Sequence, residues 1–159
     1  MRALTHVPTA PHGLAPADVA EPAPGPAQAL VEVHASSINF GELTFMAERR
    51  PAGHVPGNDA AGVVLTAAAD GSGPPAGTRV VGFAGVGAWA ERVAIDTDQL
   101  AILPDDVDAG EAATLPAAAT TALRALRGLG PVLGRRVLVT GASGGVGRFA
   151  VQLAAQAGA

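Results

Sequence analysis

The sequence predicts a mostly β domain followed by the beginning of an α/β domain. Up to about residue 103, short apolar runs alternate with glycine and proline clusters, as in a small antiparallel barrel or sandwich. After residue 108, apolar residues recur at helical spacing, and an apolar run then leads into a glycine-rich turn and a helix. We expect the change near residues 104–131, with domains at 1–115 and 116–159.

The predicted strands of the first domain are short and are separated by breaker residues. Along residues 29–35 the side chains alternate between two faces, which is the pattern of a half-buried strand. The segment DGSGPPAG, at residues 70–77, favours an exposed connection. The strand candidates are Arg2–Val7, Ala29–Ala35, Ala60–Thr66, Thr78–Phe83 and Ala88–Ile95.

The predicted elements of the second domain are helices and one buried strand. A short helix is expected in DAGEAATLP, and a longer one in AAATTALRALRGLG, with Pro116 in a first turn and Gly128 and Gly130 at the end. The apolar run Val137–Val139 predicts a strand covered on both faces in a parallel sheet. Apolar residues then recur at helical spacing from Val146 onwards.

Composition limits the classes of function. A chain of 159 residues can remove about 70% of its unfolded surface from water, so a core needs no covalent support. The absence of cysteine excludes disulfide scaffolds, thiolate zinc sites and thiol nucleophiles. No stretch approaches the roughly 18 apolar residues that span a membrane, so we expect a cytoplasmic protein without membrane contact.

Charge is unevenly distributed along the chain. Residues 1–111 carry all fourteen acidic residues and five arginines, a formal charge of -9, whereas residues 112–159 carry five arginines and +5. The positive C-terminal part favours an anionic ligand; the alternative is that these arginines lie on solvated helix faces. A pI near 5.4 argues against a nucleic-acid partner.

The turn GASGGVG, at residues 141–147, joins the predicted strand directly to the predicted helix, which is the context of a dinucleotide-binding motif. Gly144 is expected to let the backbone approach a pyrophosphate, and Gly147 to let the helix pack closely. Ala142 replaces the first glycine of the motif, and the alternative is a tight turn that needs glycine only for its dihedral angles. The predicted cofactor-binding residues of this turn are Ser143, Gly144, Gly145, Val146 and Gly147, with free N–H groups at the positive helix end.

Two features of other nucleotide-binding proteins are missing from the sequence. The chain contains no lysine, which excludes a P-loop. The residue that reads the ribose 2′ position lies about 20 residues beyond the glycines in such folds, whereas the chain ends twelve residues after Gly147. One strand and one helix do not make a doubly wound sheet, so we expect a homodimer or a complementing C-terminal half.

Several segments in one order resemble the N-terminal half of a medium-chain dehydrogenase/reductase of the zinc-free quinone oxidoreductase and enoyl reductase branch. They are EPAPGPAQALVEVHASSINF, VPGNDAAGVV, GTRVVGF, GAWAERVAI, LPAAATTALRAL and VLVTGASGGVGRFAVQLA. The resemblance implies a GroES-like β-barrel that carries the substrate side of a cleft. It also implies a Rossmann domain that binds NADPH and, frequently, a homodimer.

The resemblance assigns individual residues as well. Asn39, in SSINF, corresponds to the family asparagine that lines the nicotinamide and substrate pocket; its alternative is a polar cap or left-handed turn residue. Thr121 falls where the family threonine approaches the cofactor, and its alternative is a hydroxyl bonded to its own helix. Phe45 and Met46 occupy a stretch where relatives often supply a tyrosine or an arginine, and this chain has no tyrosine.

Zinc is not expected. Zinc-dependent members of the superfamily place cysteine in the segment aligned with Asn39–Gly41, and a His-Glu pair where this chain has Asn58 and Asp59. Asp59 is expected to support the turn before the strand at 60–66. Four histidines without ligand spacing are expected to be loop or surface residues: His6, His12, His34 and His54.

Without cysteine, lysine or tyrosine, chemistry would rest on positioning the nicotinamide against an electron-poor substrate, with Asn39 or a water stabilising the developing charge on oxygen. This favours quinones or α,β-unsaturated carbonyls over alcohols, which need a Lewis acid or base. The first hypothesis is an NADPH-dependent, zinc-independent reductase of quinones or enones. The alternatives are a non-catalytic GroES-like module that needs a complementing chain, and an enoyl reductase segment of a polyketide synthase.

Overall fold

The structure is a computed structural model that describes residues 1–45 and 50–159. The chain divides into two compact units, unit 1 at Met1–Thr114 and unit 2 at Leu115–Ala159. The β-strands of the described chain all lie in unit 1, and its two longest helices lie in unit 2. None of the helices in these described ranges is both long enough and apolar enough to cross a membrane.

Unit 1 consists of antiparallel strands in two sheets, which confirms the predicted fold class. Strands β1 (Arg2–His6) and β2 (Leu14–Asp18) form a two-stranded sheet. The larger sheet has the order β6-β3-β4-β5-β7. Its strands are β3 (Gln28–Ser36), β4 (Asp59–Thr66), β5 (Arg79–Phe83), β6 (Arg92–Asp96) and β7 (Leu100–Ile102).

The main core of unit 1 follows from the register of the strands. Val31 of β3 lies opposite Val64 of β4 and Val93 of β6, so three β-branched side chains meet across neighbouring strands. Alternate residues of the strands complete the cluster, as the two-residue period of a strand requires. Its buried members are Ala29, Val31, Ala60, Val64, Val80, Ala88, Val93 and Ile95.

Strand β4 is also buried on its other face, where Ala61 packs in a cluster with Leu103, Ala112 and Ala113. The short helix α2 (Ala109–Ala112) contributes to this cluster. Helix α2 begins at Asp108, whose Oδ1 accepts hydrogen bonds from the backbone N–H groups of residues 110 and 111 at 2.8 and 3.1 Å. The helix predicted from the DAGEAA pattern is therefore present.

Two strands of unit 1 were not predicted from the sequence, and a third begins later than predicted. Strand β2 contains Pro16, which is tolerated because β2 lies at the edge of a two-stranded sheet. Strand β7 has only three residues, too few to show alternation. The strand predicted from Ala88 begins at Arg92, because the residues before it pair with β1 instead through the bridge between Ala3 and Ala90.

Unit 2 consists of a π-helical turn at Leu115–Ala119, helix α3 (Thr120–Gly128) and helix α4 (Gly145–Gln156). The strand predicted over 137–139 does not form. A strand is held by hydrogen bonds to its neighbours, and unit 2 contains no second strand to supply them. Leu138, predicted to be buried, is consequently 89% exposed.

Candidate functional site

The first candidate site lies where the chain leaves β3 and enters helix α1 (Phe40–Thr44). Asn39 is the N-cap residue of α1, and its backbone N–H donates to Glu42 Oε2 at 2.6 Å. The other carboxylate oxygen of Glu42 accepts the backbone N–H of Asn58 at 2.6 Å. Glu42 therefore joins the start of α1 to the loop before β4, in the geometry of a capping box.

The side chain of Asn39 is held by a fully buried carboxylate. Asn39 Nδ2 donates to Asp59 Oδ2 at 2.8 Å, and Ser37 Oγ donates to the same oxygen at 2.5 Å. The amide nitrogen also lies 3.4 Å from Ser37 Oγ and 3.5 Å from Glu42 Oε1. Trp89 Nε1 donates to the carbonyl of Ser37 at 2.9 Å and anchors this segment in turn. The N–H donors of the Asn39 amide are thus directed at acceptors within the protein.

A small pocket of about 160 Å³, called here the α1 pocket, lies beside this network in unit 1. Its polar lining residues are Glu42, Arg50, His54 and Asn58. Gly41, Phe45, Pro56, Gly57, Gly85 and Val86 line the rest of it. Met46, part of the same sequence expectation as Phe45, lies outside the described residues. The α1 pocket thus combines an arginine and a histidine with a carboxylate and an amide.

His6 fixes the segment that carries Arg50 and His54. Its Nδ1 lies 3.0 Å from the carbonyl oxygen of Arg50 and 3.2 Å from that of Pro51, so Nδ1 carries the proton and donates. Its backbone N–H donates to the carbonyl of His54 at 2.7 Å. His6 is only 2% exposed, so the expectation that all four histidines are loop or surface residues is wrong for His6. It is a strand residue that joins β1 to the wall of the α1 pocket.

His54 is neutral at neutral pH. Burial lowers the pKa of His54 below its ordinary value, and the positive charge of Arg50 and the imidazole of His6 lower it further. A neutral imidazole presents one N–H donor and one acceptor. The α1 pocket therefore contains a neutral hydrogen-bonding ring beside a permanent cation.

The second candidate site is the glycine turn before α4. Gly141 adopts a left-handed conformation, with φ +67°, and its carbonyl accepts the N–H of Gly144 at 3.0 Å. A Cβ atom placed on Gly147 would overlap the carbonyl oxygen of Gly141 and lie 2.7 Å from the Cα of Ala142. Gly141 and Gly147 are therefore required by the fold itself.

The fold does not require glycine at positions 144 and 145. A Cβ on Gly144 would lie 3.4 Å from its nearest neighbour, and one on Gly145 would lie 3.9 Å from the Cβ of Ala118, both ordinary contacts. Neither residue has a positive φ, and both are exposed. A tight turn that needs glycine for its dihedral angles explains Gly141 but not this pair, whereas a ligand that approaches the backbone explains both.

The first turn of α4 presents backbone donors at the same place. The N–H groups of Gly145, Val146 and Gly147 have no carbonyl one turn earlier to accept them, and the helix dipole adds a positive partial charge there. Ser143 lies in the exposed turn directly before them. The structure thus brings Ser143 to Gly147 together as a short, glycine-rich helix start.

Thr121 is exposed near the start of α3. Its Oγ1 donates to the carbonyl of Ala117 at 2.6 Å, and Thr120 Oγ1 donates to the carbonyl of Pro116. Both hydroxyls are therefore bonded to their own helical segment, the alternative that the sequence left open. The hydroxyl oxygen of Thr121 keeps lone pairs that can accept a hydrogen bond from a ligand.

Sequence reasoning missed several residues of the α1 pocket. Glu42 had a signal, since asparagine followed three residues later by glutamate is a capping-box pattern. Arg50 and His54 had none, because the contacts of their segment with His6 join distant parts of the sequence. Across residues 1–45 and 50–159, no three His, Asp or Glu side chains are grouped so that they could hold a metal ion.

The antiparallel sheets of unit 1 have the fold of a GroES-like domain. Residues 25–105 match the alcohol dehydrogenase GroES-like domain. The chain belongs to the medium-chain dehydrogenase/reductase family, as its resemblance to quinone oxidoreductases and enoyl reductases implied.

Two solved structures and one curated relative show the extent of the similarity. The quinone oxidoreductase from Coxiella burnetii is 29% identical, with a TM-score of 0.88 over 99% of this chain and 54% of that chain. Mycobacterial Rv1454c, solved in complex with NADPH, is 30% identical, with a TM-score of 0.87 over 99% of this chain and 51% of that chain. Erythronolide synthase EryA2 of Saccharopolyspora erythraea is 39% identical over 146 residues, 87% of this chain and 4% of that protein. The chain thus spans about half the length of these two solved relatives and a small part of the synthase.

Proposed function

We propose that this chain forms part of an NADPH-dependent, zinc-independent oxidoreductase that transfers a hydride to a quinone or an α,β-unsaturated carbonyl. The observation that carries the proposal is the pair Gly144 and Gly145, two glycines at the start of α4 that the fold does not require. Similarity to a quinone oxidoreductase and to a protein solved with NADPH supports both the substrate class and the cofactor.

The glycine turn fits a pyrophosphate group. The N–H groups of Gly145 and Val146 donate to phosphate oxygens, Gly144 leaves room for the backbone to come close, and the hydroxyl of Ser143 adds a further donor. Residues 112–159 contain five arginines and no acidic residue, which favours a polyanion. In this proposal Thr121 offers its hydroxyl oxygen to the same cofactor. Bound NADPH supplies a hydride, and the residues of this chain bind and orient it.

Asn39 binds ligand through its carbonyl oxygen in this proposal. Its amide N–H groups have acceptors in Asp59, Ser37 and Glu42. Its carbonyl oxygen faces the N–H of Glu42 in the capping box and keeps a second lone pair for a hydroxyl or amide N–H of the cofactor. Asp59 is a positioning residue, since it fixes the amide without facing a ligand. The negative charge that develops on a substrate oxygen must then be stabilised by another donor.

The groups that this chain lacks favour one substrate class over another. Oxidation of an alcohol requires a Lewis acid or a base to remove the hydroxyl proton, and the chain has no cysteine, lysine or tyrosine to hold a zinc ion or relay that proton. A quinone or an enone accepts a hydride directly on carbon. Positioning and stabilisation of the oxygen charge are therefore sufficient chemistry.

A second candidate is the enoyl reductase segment of a polyketide synthase. The observation that favours it is the 39% identity to erythronolide synthase EryA2 over 146 residues. The same hydride chemistry applies, with an enoyl thioester in place of a free enone. The two candidates differ in whether the substrate is free or attached to a carrier.

An NADPH fluorescence titration of the purified chain tests the proposal, with the mass in solution recorded on the same sample. We expect a saturable change in NADPH emission, either from a homodimer of the purified chain or, once a complementing C-terminal half is added, from the complex of the two. Gly144→Val is the matched variant, because it fills the space above the turn without removing a contact. Equal NADPH binding by wild type and Gly144→Val contradicts the assignment of the turn. Substrate assays with free quinones, free enones and an enoyl thioester then separate the two candidates.

A further inference from the structure

We propose that Arg50 and His54 bind the carbonyl oxygen of the substrate in the α1 pocket and stabilise the negative charge that develops on it. The inference rests on the proposed function and adds the residues that act on the substrate oxygen. It assigns to Arg50 and His54 a role for which the sequence had named Asn39 or a water.

Two other polar residues beside the α1 pocket are already engaged within the protein. The Asn39 amide donates to Asp59 at 2.8 Å, so it is engaged before any substrate arrives. Glu42 also lines the α1 pocket, but a carboxylate only accepts, and each of its oxygens already receives a backbone N–H at 2.6 Å. Of the described residues that line the pocket, Arg50 is the one with a permanent positive charge.

The Arg50 side chain has no competing partner in the described part of the chain. None of the ion pairs formed between described residues includes Arg50, and its side chain is exposed. Its backbone is nevertheless fixed, because His6 Nδ1 donates to its carbonyl at 3.0 Å. A guanidinium on a fixed backbone presents a rigid fork of N–H donors, which suits a carbonyl or phenolate oxygen.

His54 adds a second donor without adding charge. Its backbone is held by the same histidine, whose N–H donates to the His54 carbonyl at 2.7 Å. The ring lines the α1 pocket together with Arg50 and is neutral, so one of its nitrogens carries a proton to donate and the other does not. Two donors of this kind form the arrangement that stabilises an oxyanion in other enzymes.

The chemical step balances with these roles. The hydride adds to an electron-poor carbon conjugated with the carbonyl and forms a C–H bond, the π electrons shift, and the carbonyl oxygen becomes an enolate oxygen. Arg50 and His54 donate hydrogen bonds to that oxygen and keep their protons. With an enone, water protonates the α-carbon of the enolate and gives the saturated carbonyl. With a quinone, water protonates the enolate oxygen; the proton on the carbon that received the hydride is then lost to water while the other carbonyl oxygen gains one, which gives the quinol. The hydride comes from the reduced nicotinamide of the proposed function.

Quenching of Trp89 emission by menadione, a naphthoquinone, tests the inference on the chain as it is. Trp89 is the single tryptophan, and its ring is in close contact with Gly57 in the wall of the α1 pocket. The chain has no cysteine thiol or lysine amine for the quinone to modify, and recovery of the emission after removal of menadione by gel filtration checks that the binding is reversible. N-acetyltryptophanamide measured at the same menadione concentrations corrects for light absorption.

The variants are Arg50→Gln, Arg50→Lys and His54→Gln, with Arg136→Gln as the control. Arg136 is an exposed arginine of unit 2, so its replacement changes the net charge equally without touching the α1 pocket. We expect saturable quenching of wild type, a dissociation constant raised at least about fivefold in Arg50→Gln, and a smaller rise in His54→Gln. Arg50→Lys should fall between wild type and Arg50→Gln, because it keeps the charge and loses the fork.

The outcomes separate this inference from the proposed function. Saturable quenching with equal affinity in wild type and Arg50→Gln overturns the inference and leaves the quinone reductase proposal standing. A folded wild-type chain that shows no saturable quenching contradicts the quinone as substrate class, and the inference falls with it. If Arg136→Gln weakens menadione binding as much as Arg50→Gln does, the loss is a general effect of net charge, and the inference is also overturned.

Discussion

The same substitution, glycine to alanine, should have opposite effects on stability at two positions only two residues apart in α4. A Cβ on Gly147 would overlap the carbonyl oxygen of Gly141 and lie 2.7 Å from the Cα of Ala142, which is 0.7 Å inside the 3.4 Å where ordinary contact begins. Both neighbours are backbone atoms, so no side-chain rotation relieves the overlap. A Cβ on Gly145 would meet only the Cβ of Ala118, at 3.9 Å.

The magnitudes follow from two competing terms. Alanine is favoured over glycine within a helix by up to about 1 kcal/mol, which applies to both positions because both lie in the first turn of α4. Overpacking against a rigid neighbour costs about 1–3 kcal/mol, and only Gly147→Ala incurs it. We therefore expect Gly145→Ala to raise the free energy of unfolding of unit 2 by a few tenths of a kcal/mol to about 1 kcal/mol. Gly147→Ala has the same gain but also the overpacking cost, so it should lie about 1–3 kcal/mol below Gly145→Ala and lower the free energy of unfolding by up to about 2–3 kcal/mol.

Urea unfolding followed by far-ultraviolet circular dichroism measures this difference, because the two longest helices among the described residues lie in unit 2. The emission of Trp89 in unit 1, followed in the same samples, is the internal control and should not change between variants. If Gly147→Ala unfolds at the same urea concentration as Gly145→Ala, the close packing of α4 on its turn is refuted. The distinction between structural and ligand-facing glycines would then be lost.

Three further predictions address the two sites. Gly144→Val should weaken NADPH binding about tenfold or more by crowding the pyrophosphate, as measured by NADPH fluorescence; unchanged affinity would remove the assignment of the turn. Asp59→Ala should lower the free energy of unfolding by about 2–3 kcal/mol, because the hydroxyl of Ser37 and the amide of Asn39 lose a buried acceptor; a loss under about 0.5 kcal/mol in urea unfolding would contradict this. His54→Gln should flatten the decline of stability on acidification. Because the pKa of His54 is lowered in the folded state, the unfolded chain binds a proton below about pH 6.5 that the folded chain does not, so stability falls as pH falls through that range. Identical slopes of stability against pH in wild type and His54→Gln would contradict that sign.

The sequence predicted most of the larger sheet because its strands follow a simple period. Alternation along β3 and the apolar run of β4 were visible without any knowledge of the fold. By contrast, β7 is too short for a period, and β2 contains a proline that the edge of a sheet tolerates. The local pattern was therefore sufficient to predict long, central strands. It was insufficient for strands whose formation depends on their position in the sheet.

The predicted strand at 137–139 shows the opposite error. Its apolar run has the composition of a strand buried on both faces, but hydrogen-bonding neighbours are needed to make a strand, and unit 2 offers none. Composition therefore predicted the environment in which the segment would be a strand, not the conformation it adopts in this chain. Strand formation is a property of the sheet as a whole, which a local sequence window does not contain.

The candidate sites also differ in how much of each could be predicted from local sequence. The glycine turn is contiguous in sequence, so its place between an apolar run and a helix could be predicted from the pattern. Which glycines the fold requires could not, since that depends on the distance from Gly147 to a carbonyl six residues earlier. Asn39 was named in advance, but the direction of its amide is set by Asp59, twenty residues away. The α1 pocket could be found only from the structure, because its lining residues come from distant parts of the sequence.

The most direct test of the central claim, that the start of α4 binds the cofactor, is a two-dimensional amide NMR spectrum of the chain during titration with NADPH. We predict that the largest shifts occur at the backbone N–H groups of Gly145 and Val146, which lie in the exposed first turn of α4. Gly144→Val should raise the NADPH concentration that half-saturates these shifts about tenfold or more, with the signals of unit 1 unchanged. Saturable shifts confined to other residues, with these amides unaffected, would contradict the claim.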